Sequence, residues 1–188
     1  STCPRVHDGG VDDDMLSIGR LSDGKEPIVP DTTSSPTAVA TELDPATHRQ
    51  LGVDLYNSTW TLIEKADRTA AETDEMIHRA HASRWHWGRV GEPVNLARGE
   101  WLCSRVYATL GRGEPALWHA RRCVEIDEAN GIADWDIASA YEAMARASFA
   151  AGDPASGALW KAKATAALDG IGDGDDRDPI AQDIATLP

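Results

Sequence analysis

Tyr107-Ala108-Thr109-Leu110-Gly111-Arg112-Gly113-Glu114-Pro115-Ala116 decides the architecture of this chain. An apolar helical pattern stops at Leu110, Gly111 supplies a helix-terminating residue, and Glu114-Pro115 restarts a helix with proline in its first turn. A helix that stops and restarts within a few residues folds back on itself. The same punctuation recurs on both sides. Asp44-Pro45 opens a first helix predicted to run to about Ala66, and the capping box Thr69-Ala70-Ala71-Glu72 opens a second, ending near Gly88. Pro93 opens the third helix, and the fourth ends at Asn130-Gly131. Asp134 opens a fifth that ends at Gly152, Asp153-Pro154 a sixth that ends near Gly170, and Asp178-Pro179 a short last helix. Alanine is abundant and β-branched alternation is missing, so the fold class is all-α.

The turns repeat. Asp67, Gly111 and Gly152 each fall between the two helices of a pair, at separations that belong to helical repeats. Helices three and four fit the tetratricopeptide (TPR) pattern, with Tyr107 before the turn and small residues at Ser104, Ala116 and Cys123. Helices five and six place Ala145, Gly157 and Ala164 at the corresponding positions, where paired helices approach closely. The spacing exceeds the usual TPR period of about 34 residues. The predicted fold is therefore a TPR-like right-handed stack of about three antiparallel helix pairs plus a short C-terminal helix. The third helix supports a stack: Val94, Ala97, Trp101 and Ala108 lie on one side, and Leu96, Cys103, Val106 and Leu110 on the other. A helix apolar on two sides is buried on two sides, so Trp101 and Tyr107 are both expected to be largely buried.

Composition divides the chain. Residues 1–42 carry Pro4, Pro27, Pro30, Pro36 and a Gly9-Gly10 pair, with no aromatic residue and no sustained period. They read as a disordered extension, because they offer too little apolar surface to offset ordering entropy. Residues 43–188 read as the TPR-like domain. The net charge of −13 argues against general nucleic-acid binding. No apolar run suits a membrane helix and no signal-peptide pattern is present, so the cytoplasm is the expected location and no membrane partner is expected. Cys103 and Cys123 lie among apolar residues and read as small buried hydrophobes in a reducing compartment.

The most unusual segment is Met76-Ile77-His78-Arg79-Ala80-His81-Ala82-Ser83-Arg84-Trp85-His86-Trp87-Gly88, which holds three of the six histidines within nine residues. At the helical turn angle His78, Ala82 and Trp85 share a face flanked by His81, while His86 lies about 140° from His81. His78 and His81 could approach one ligand together. These histidines read either as satisfied polar groups inside the stack or as a ligand site, since imidazole is both a metal ligand and a general base. Specific metal patterns fail: there is no His-Glu-x-x-His, Glu75-x-x-His78 lacks the second copy that a di-iron site needs, and zinc-type cysteine spacing is missing. No phosphate loop, dinucleotide fingerprint or nucleophile elbow appears, so no cofactor is implied. The acidic run from Asp173 to Asp178 lacks calcium-loop spacing and reads as a solvated turn with Asp178 as a cap.

Charge is segregated. From Met76 to Arg122 there are eight arginines, no lysine and three acids, a balance of +5, while from Val124 onward the balance is −9. Arginine forms bidentate pairs with carboxylates and phosphates. The basic middle can line an anion-binding groove, or pair with the acidic later helices.

Met76-Ile77-His78, Ala80-His81-Ala82-Ser83-Arg84 and His86-Trp87-Gly88, together with Ala97-Arg98-Gly99-Glu100-Trp101, Ser104-Arg105-Val106-Tyr107, Glu114-Pro115-Ala116, His119-Ala120-Arg121, Asp134-Trp135-Asp136 and Ala140-Tyr141-Glu142-Ala143, resemble a family of small bacterial TPR-like proteins of unassigned function. The resemblance runs from about Leu43 to the end of the chain. It implies the helical-repeat fold and carries no catalytic assignment. Trp85, Cys103 and the Gly170–Gly174 loop depart from the family pattern.

Two functions follow. The leading one is a non-enzymatic interaction module for a protein or peptide partner, since helical repeats form such surfaces and no complete catalytic set is present. The alternative is a protein that binds a small molecule, an anion or a metal, with possible enzymatic activity. Its candidate residues are His78, His81, Arg84 and His86 on the second helix, Glu100 and Arg105 on the third, and His119 on the fourth. A polar cluster centred on His78 and His81, and joined by Glu100 or His119, is expected at the inner face of the stack.

Overall fold

In the computed structural model, the described residues are 42–188; the expected disorder of the N-terminal extension falls outside them, apart from its last residue. The described chain is all-helical, with seven α-helices, one short 3₁₀ turn and no strand among these residues. α1 is Pro45–Ile63, α2 Ala70–Val90, α3 Pro93–Thr109, α4 Gly113–Asn130, α5 Trp135–Ala150, α6 Pro154–Ala167 and α7 Gly174–Ala185. Consecutive helices pack against each other, most extensively α1 with α2, α3 with α4 and α5 with α6. The odd-numbered helices also touch across pairs: α1 meets α3, α3 meets α5 and α5 meets α7. The odd helices thus form a continuous layer, with α3 in its middle.

Local chemistry sets the boundaries. Asp44 accepts hydrogen bonds from the Ala46 and Thr47 amides at 2.9 and 3.0 Å, with Pro45 in the first turn. The Thr69/Glu72 capping box is formed, at 3.2 Å to the Glu72 amide and 2.9 Å from the Thr69 amide. α1 stops at Ile63, earlier than the predicted Ala66. The cause is Arg68, whose Nη1 donates to the carbonyls of Leu62, Ile63 and Lys65 at 2.7, 2.9 and 2.7 Å. A guanidinium satisfies the carbonyls that a helix end leaves unpaired. α2 runs through Gly88 to Val90. Gly131 takes the left-handed conformation (φ 64°) that closes α4.

Two starts differ from the sequence reading. Asp134 does precede α5, but its side chain makes no capping bond and its own φ is 62°. The last helix opens at Asp173, five residues before the predicted Asp178. Asp173 accepts from the Asp175 amide at 2.9 Å, and its carbonyl accepts from Arg177 at 3.0 Å. The acidic run is therefore the first turn of a helix, where carboxylates meet the partial positive charge of the helix N-terminus. Pro179 lies inside α7, past the first turn, and so forgoes one interior backbone bond.

The small positions behave as close contacts. Ser104, Ala116, Cys123, Ala145, Gly157 and Ala164 are all buried, and Ser104 Oγ donates to the Ala116 carbonyl at 2.9 Å. A Cβ on Gly113 would stand 2.3 Å from Ala151 Cα, so α4 and α5 approach there through backbone alone. α3 is buried on every side over six successive residues, Gly99 to Ser104. Cys103 and Cys123 are buried free thiols. Trp101 is 8% exposed and stacks obliquely on Trp60 at 5.6 Å between centroids. Tyr107 is partly buried, and its hydroxyl reaches a polar cluster described below. Replacing Trp101 with alanine should cost about 3–5 kcal/mol in urea unfolding; a loss below about 1 kcal/mol would place this side chain outside the core.

The packing between α3, α4 and α5 contains one buried acid with an unmet oxygen. Asp127 is fully buried, its Oδ1 has no hydrogen-bond partner, and Cys123 Sγ lies 3.8 Å from Oδ2. It borders a cavity of about 30 Å³ lined also by Arg98, Trp135 and Asp136. Burial, reinforced by the Asp136 charge, pushes its carboxyl up to about 7 from 3.8. The folded state therefore holds a proton that the unfolded state has already lost, and stability falls as pH rises through that window. Asp127→Asn should stabilise the fold by about 1–3 kcal/mol at pH 8 and by little at pH 5. Thermal melts across this range test the sign, and a gain that shrinks with rising pH would refute it.

Candidate functional site

A stripe on α3 carries Glu100, Cys103 and Tyr107 at helical spacing, so all three side chains leave on one side. α2 brings His81 and Arg84 to this stripe, and α4 brings His119. Arg84 Nε donates to Glu100 Oε1 at 2.9 Å, and His119 Nδ1 bonds Glu100 Oε2 at 2.7 Å. His81 Nε2 bonds the Tyr107 hydroxyl at 2.9 Å. The His81 and His119 rings meet edge to face at 5.2 Å, and the Tyr107 and His119 rings stack with 8° between their planes. The close approach depends on Gly99. A Cβ there would stand 2.6 Å from Arg84 Cδ and 3.3 Å from its Cα, so glycine lets the arginine lie across α3.

The ionisation states follow from these contacts. Burial pushes the Glu100 carboxyl up, but the His119 hydrogen bond and the Arg84 charge outweigh it, and the net shift is down. Glu100 is therefore ionised at neutral pH. Burial, assisted by the neighbouring His119, holds His81 below its ordinary value and so neutral. Burial keeps the Cys103 thiol and the Tyr107 phenol protonated by pushing both up. The result is a pair of imidazoles, one oriented by a carboxylate, over a buried thiol.

One side of the cluster is open. A shallow groove of about 640 Å³ is lined by His81, Ala82, Arg84, Trp85, Glu100 and His119. Trp85 is 55% exposed and stands on its rim, with the Arg89 guanidinium 5.6 Å from its ring centroid.

The expected polar cluster is present in part. His81, Arg84, Glu100 and His119 come together, and Tyr107, Cys103 and Gly99 join them without having been singled out for it. The stripe spacing on α3 is the signal that finds Cys103 and Tyr107. Three candidates lie elsewhere. His78 is exposed, because it sits one turn before His81 and beyond the reach of α3. His86 turns to α1, where its Nδ1 lies 2.8 Å from Nδ1 of His48. Arg105 faces the C-terminal layer and bonds Glu142 at 3.2 Å and Asp183 at 2.5 Å. The arginine-rich middle thus pairs with the acidic later helices at Arg105 and again at Arg98, which makes a two-pronged contact with Asp136 at 2.8 and 2.9 Å.

The chain matches no protein-family model, no curated protein and no solved structure. No helix among the described residues is long and apolar enough to cross a membrane.

Truncating Glu100 to alanine leaves Arg84 and His119 without their shared acceptor and should destabilise the fold by about 3–5 kcal/mol. In an Arg84→Leu/Glu100→Leu double variant the cost should fall well below the sum of the single losses, as measured by a denaturant double-mutant cycle. Strict additivity would show that the two side chains do not interact.

Proposed function

We propose that the protein is a TPR-like helical-repeat interaction module that binds a peptide segment of a partner protein in the groove between α2 and α4. The observation that carries this reading is the groove itself: an exposed tryptophan beside two imidazoles, open along one side and floored by α3. Trp85 offers an apolar face for a side chain of the partner, and the imidazoles offer hydrogen bonds to its backbone. The layer of odd-numbered helices supports the repeat reading, because helical repeats stack in this way and present their binding surface as a groove. The anion reading loses ground here. Arg84 is engaged by Glu100 and Arg105 by Glu142 and Asp183, so both arginines expected to hold an anion face carboxylates of the fold.

Selection of peptides from a random display library on the full chain tests the proposal. Selected peptides should share a sequence pattern and bind with micromolar affinity. Trp85→Ala should weaken them at least ~10-fold, about 1.4 kcal/mol, with an unchanged thermal melt, since this side chain is exposed. Peptides without a shared pattern, or with unchanged affinity for Trp85→Ala, would remove the groove as the binding surface.

A further inference from the structure

Three helices each contribute one strong metal ligand to a single point. His81 of α2, Cys103 of α3 and His119 of α4 each place a donor atom within 4.8 Å of the other two, and this is the one such group of three among the described residues. We propose that these side chains bind one borderline-soft transition-metal ion of the zinc class, through two imidazoles and one thiolate. This site shares His81 and His119 with the peptide groove but adds Cys103 beneath it and does not use Trp85.

The donor set suits such an ion. Imidazole and thiolate together select zinc-like ions over magnesium or calcium, which prefer oxygen. Metal–nitrogen and metal–sulfur bonds of about 2.0–2.3 Å in a tetrahedron put neighbouring donors roughly 3.3–3.8 Å apart. The observed upper bound of 4.8 Å exceeds that by about 1–1.5 Å, a difference that rotations of the two half-buried imidazoles can close.

The surroundings carry the argument further. A histidine that binds a metal through one nitrogen characteristically gives its other nitrogen to a carboxylate. His119 does this: Nδ1 is held by Glu100 at 2.7 Å, which leaves Nε2 for an ion, and Arg84 fixes the carboxylate in turn. Burial is graded in the same sense. Cys103 is fully buried, while His81 and His119 are half-buried and line the groove. The ion would have a dry sulfur side and a fourth position facing the groove, where water or a donor from a bound molecule completes the shell. The Tyr107 hydroxyl bonds His81 at 2.9 Å, so the ion competes with that bond. On binding, the Cys103 S–H bond breaks, its proton passes to solvent and a sulfur–metal bond forms; no oxidant or reductant is needed.

Cobalt(II) is the probe, because its bound thiolate gives a charge-transfer band and a tetrahedral site gives intense d–d bands. Reduced, chelator-treated full chain should develop both at one equivalent and lose both when Zn²⁺ is added. Cys103→Ala should abolish the charge-transfer band. Glu100→Gln should weaken binding by ~10–100-fold while keeping the band. The Cys3→Ala/Cys123→Ala variant leaves Cys103 as the single thiol and keeps the test valid if Cys103→Ala does not fold; its band must persist. Trp85→Ala should leave the spectrum unchanged while weakening the selected peptides, which separates metal binding from peptide binding. Cobalt binding without the charge-transfer band, or loss of the band in Cys3→Ala/Cys123→Ala, would overturn the proposal.

Discussion

A carboxylate in the middle of α3, with 7% of its residue surface exposed, must be compensated by neighbouring helices, and Glu100 is compensated by two of them. Arg84 reaches it from α2 and His119 from α4, each on its own oxygen. Burying the acid or the guanidinium without its partner costs several kcal/mol, and an unpaired buried imidazole N–H is costly as well. The three therefore fix one another, and with them the spacing of α2, α3 and α4. That spacing places His81 against Tyr107 and opens the groove beside Trp85. Gly99 is part of the same constraint, because any side chain there would lift Arg84 off α3.

The segregation of charge along the chain has a structural use. The basic middle and the acidic end do not repel a partner in common; they meet inside the protein. Arg98 pairs with Asp136 and lies 4.3 Å from the Trp135 ring centroid, tying α3 to the start of α5. Arg105 joins Glu142 to Asp183, tying α3 to α5 and α7. It also lies near the rings of Trp60 and Trp101, so one guanidinium serves carboxylates and aromatic faces together. Planarity and permanent charge suit arginine to these contacts.

Much of this was legible in the sequence, for identifiable reasons. Helix starts at Asp44-Pro45 and Thr69–Glu72 depend on bonds between near neighbours, and local pattern reports such bonds well. The buried small residues follow from helix periodicity. What could not be read were decisions made between elements. Arg68 shortens α1 by folding back onto three carbonyls, and nothing in its spacing announces that. The last helix starts at Asp173 although several residues of the acidic run could serve as a cap, and it buries Ile180 and Ile184 against α5 and α6. At the site, helical spacing grouped His78 with His81. It could not show that α3 faces only the latter, nor that His86 would turn to His48 on α1.

Two buried carboxylates in the odd-helix layer, Glu100 and Glu142, show how a site differs from a strut. Glu142 is 1% exposed and meets Arg105 at 3.2 Å and Arg146 at 2.6 Å, while Arg146 goes on to the Asp183 carbonyl and the Thr186 hydroxyl. Its partners are permanent cations, and the chain ends by closing over them. Such a network is satisfied within the fold and offers nothing to a ligand. Glu100 has one permanent cation and one imidazole, and behind that imidazole stand a second imidazole and a thiol. Imidazole and thiol differ from guanidinium in having lone pairs to give. The first network consumes its donors; the second keeps uncommitted electron pairs and leaves one side open to the groove. Cys103 is accounted for by core packing, so the two imidazoles beside the groove are what separates this network from the arginine one.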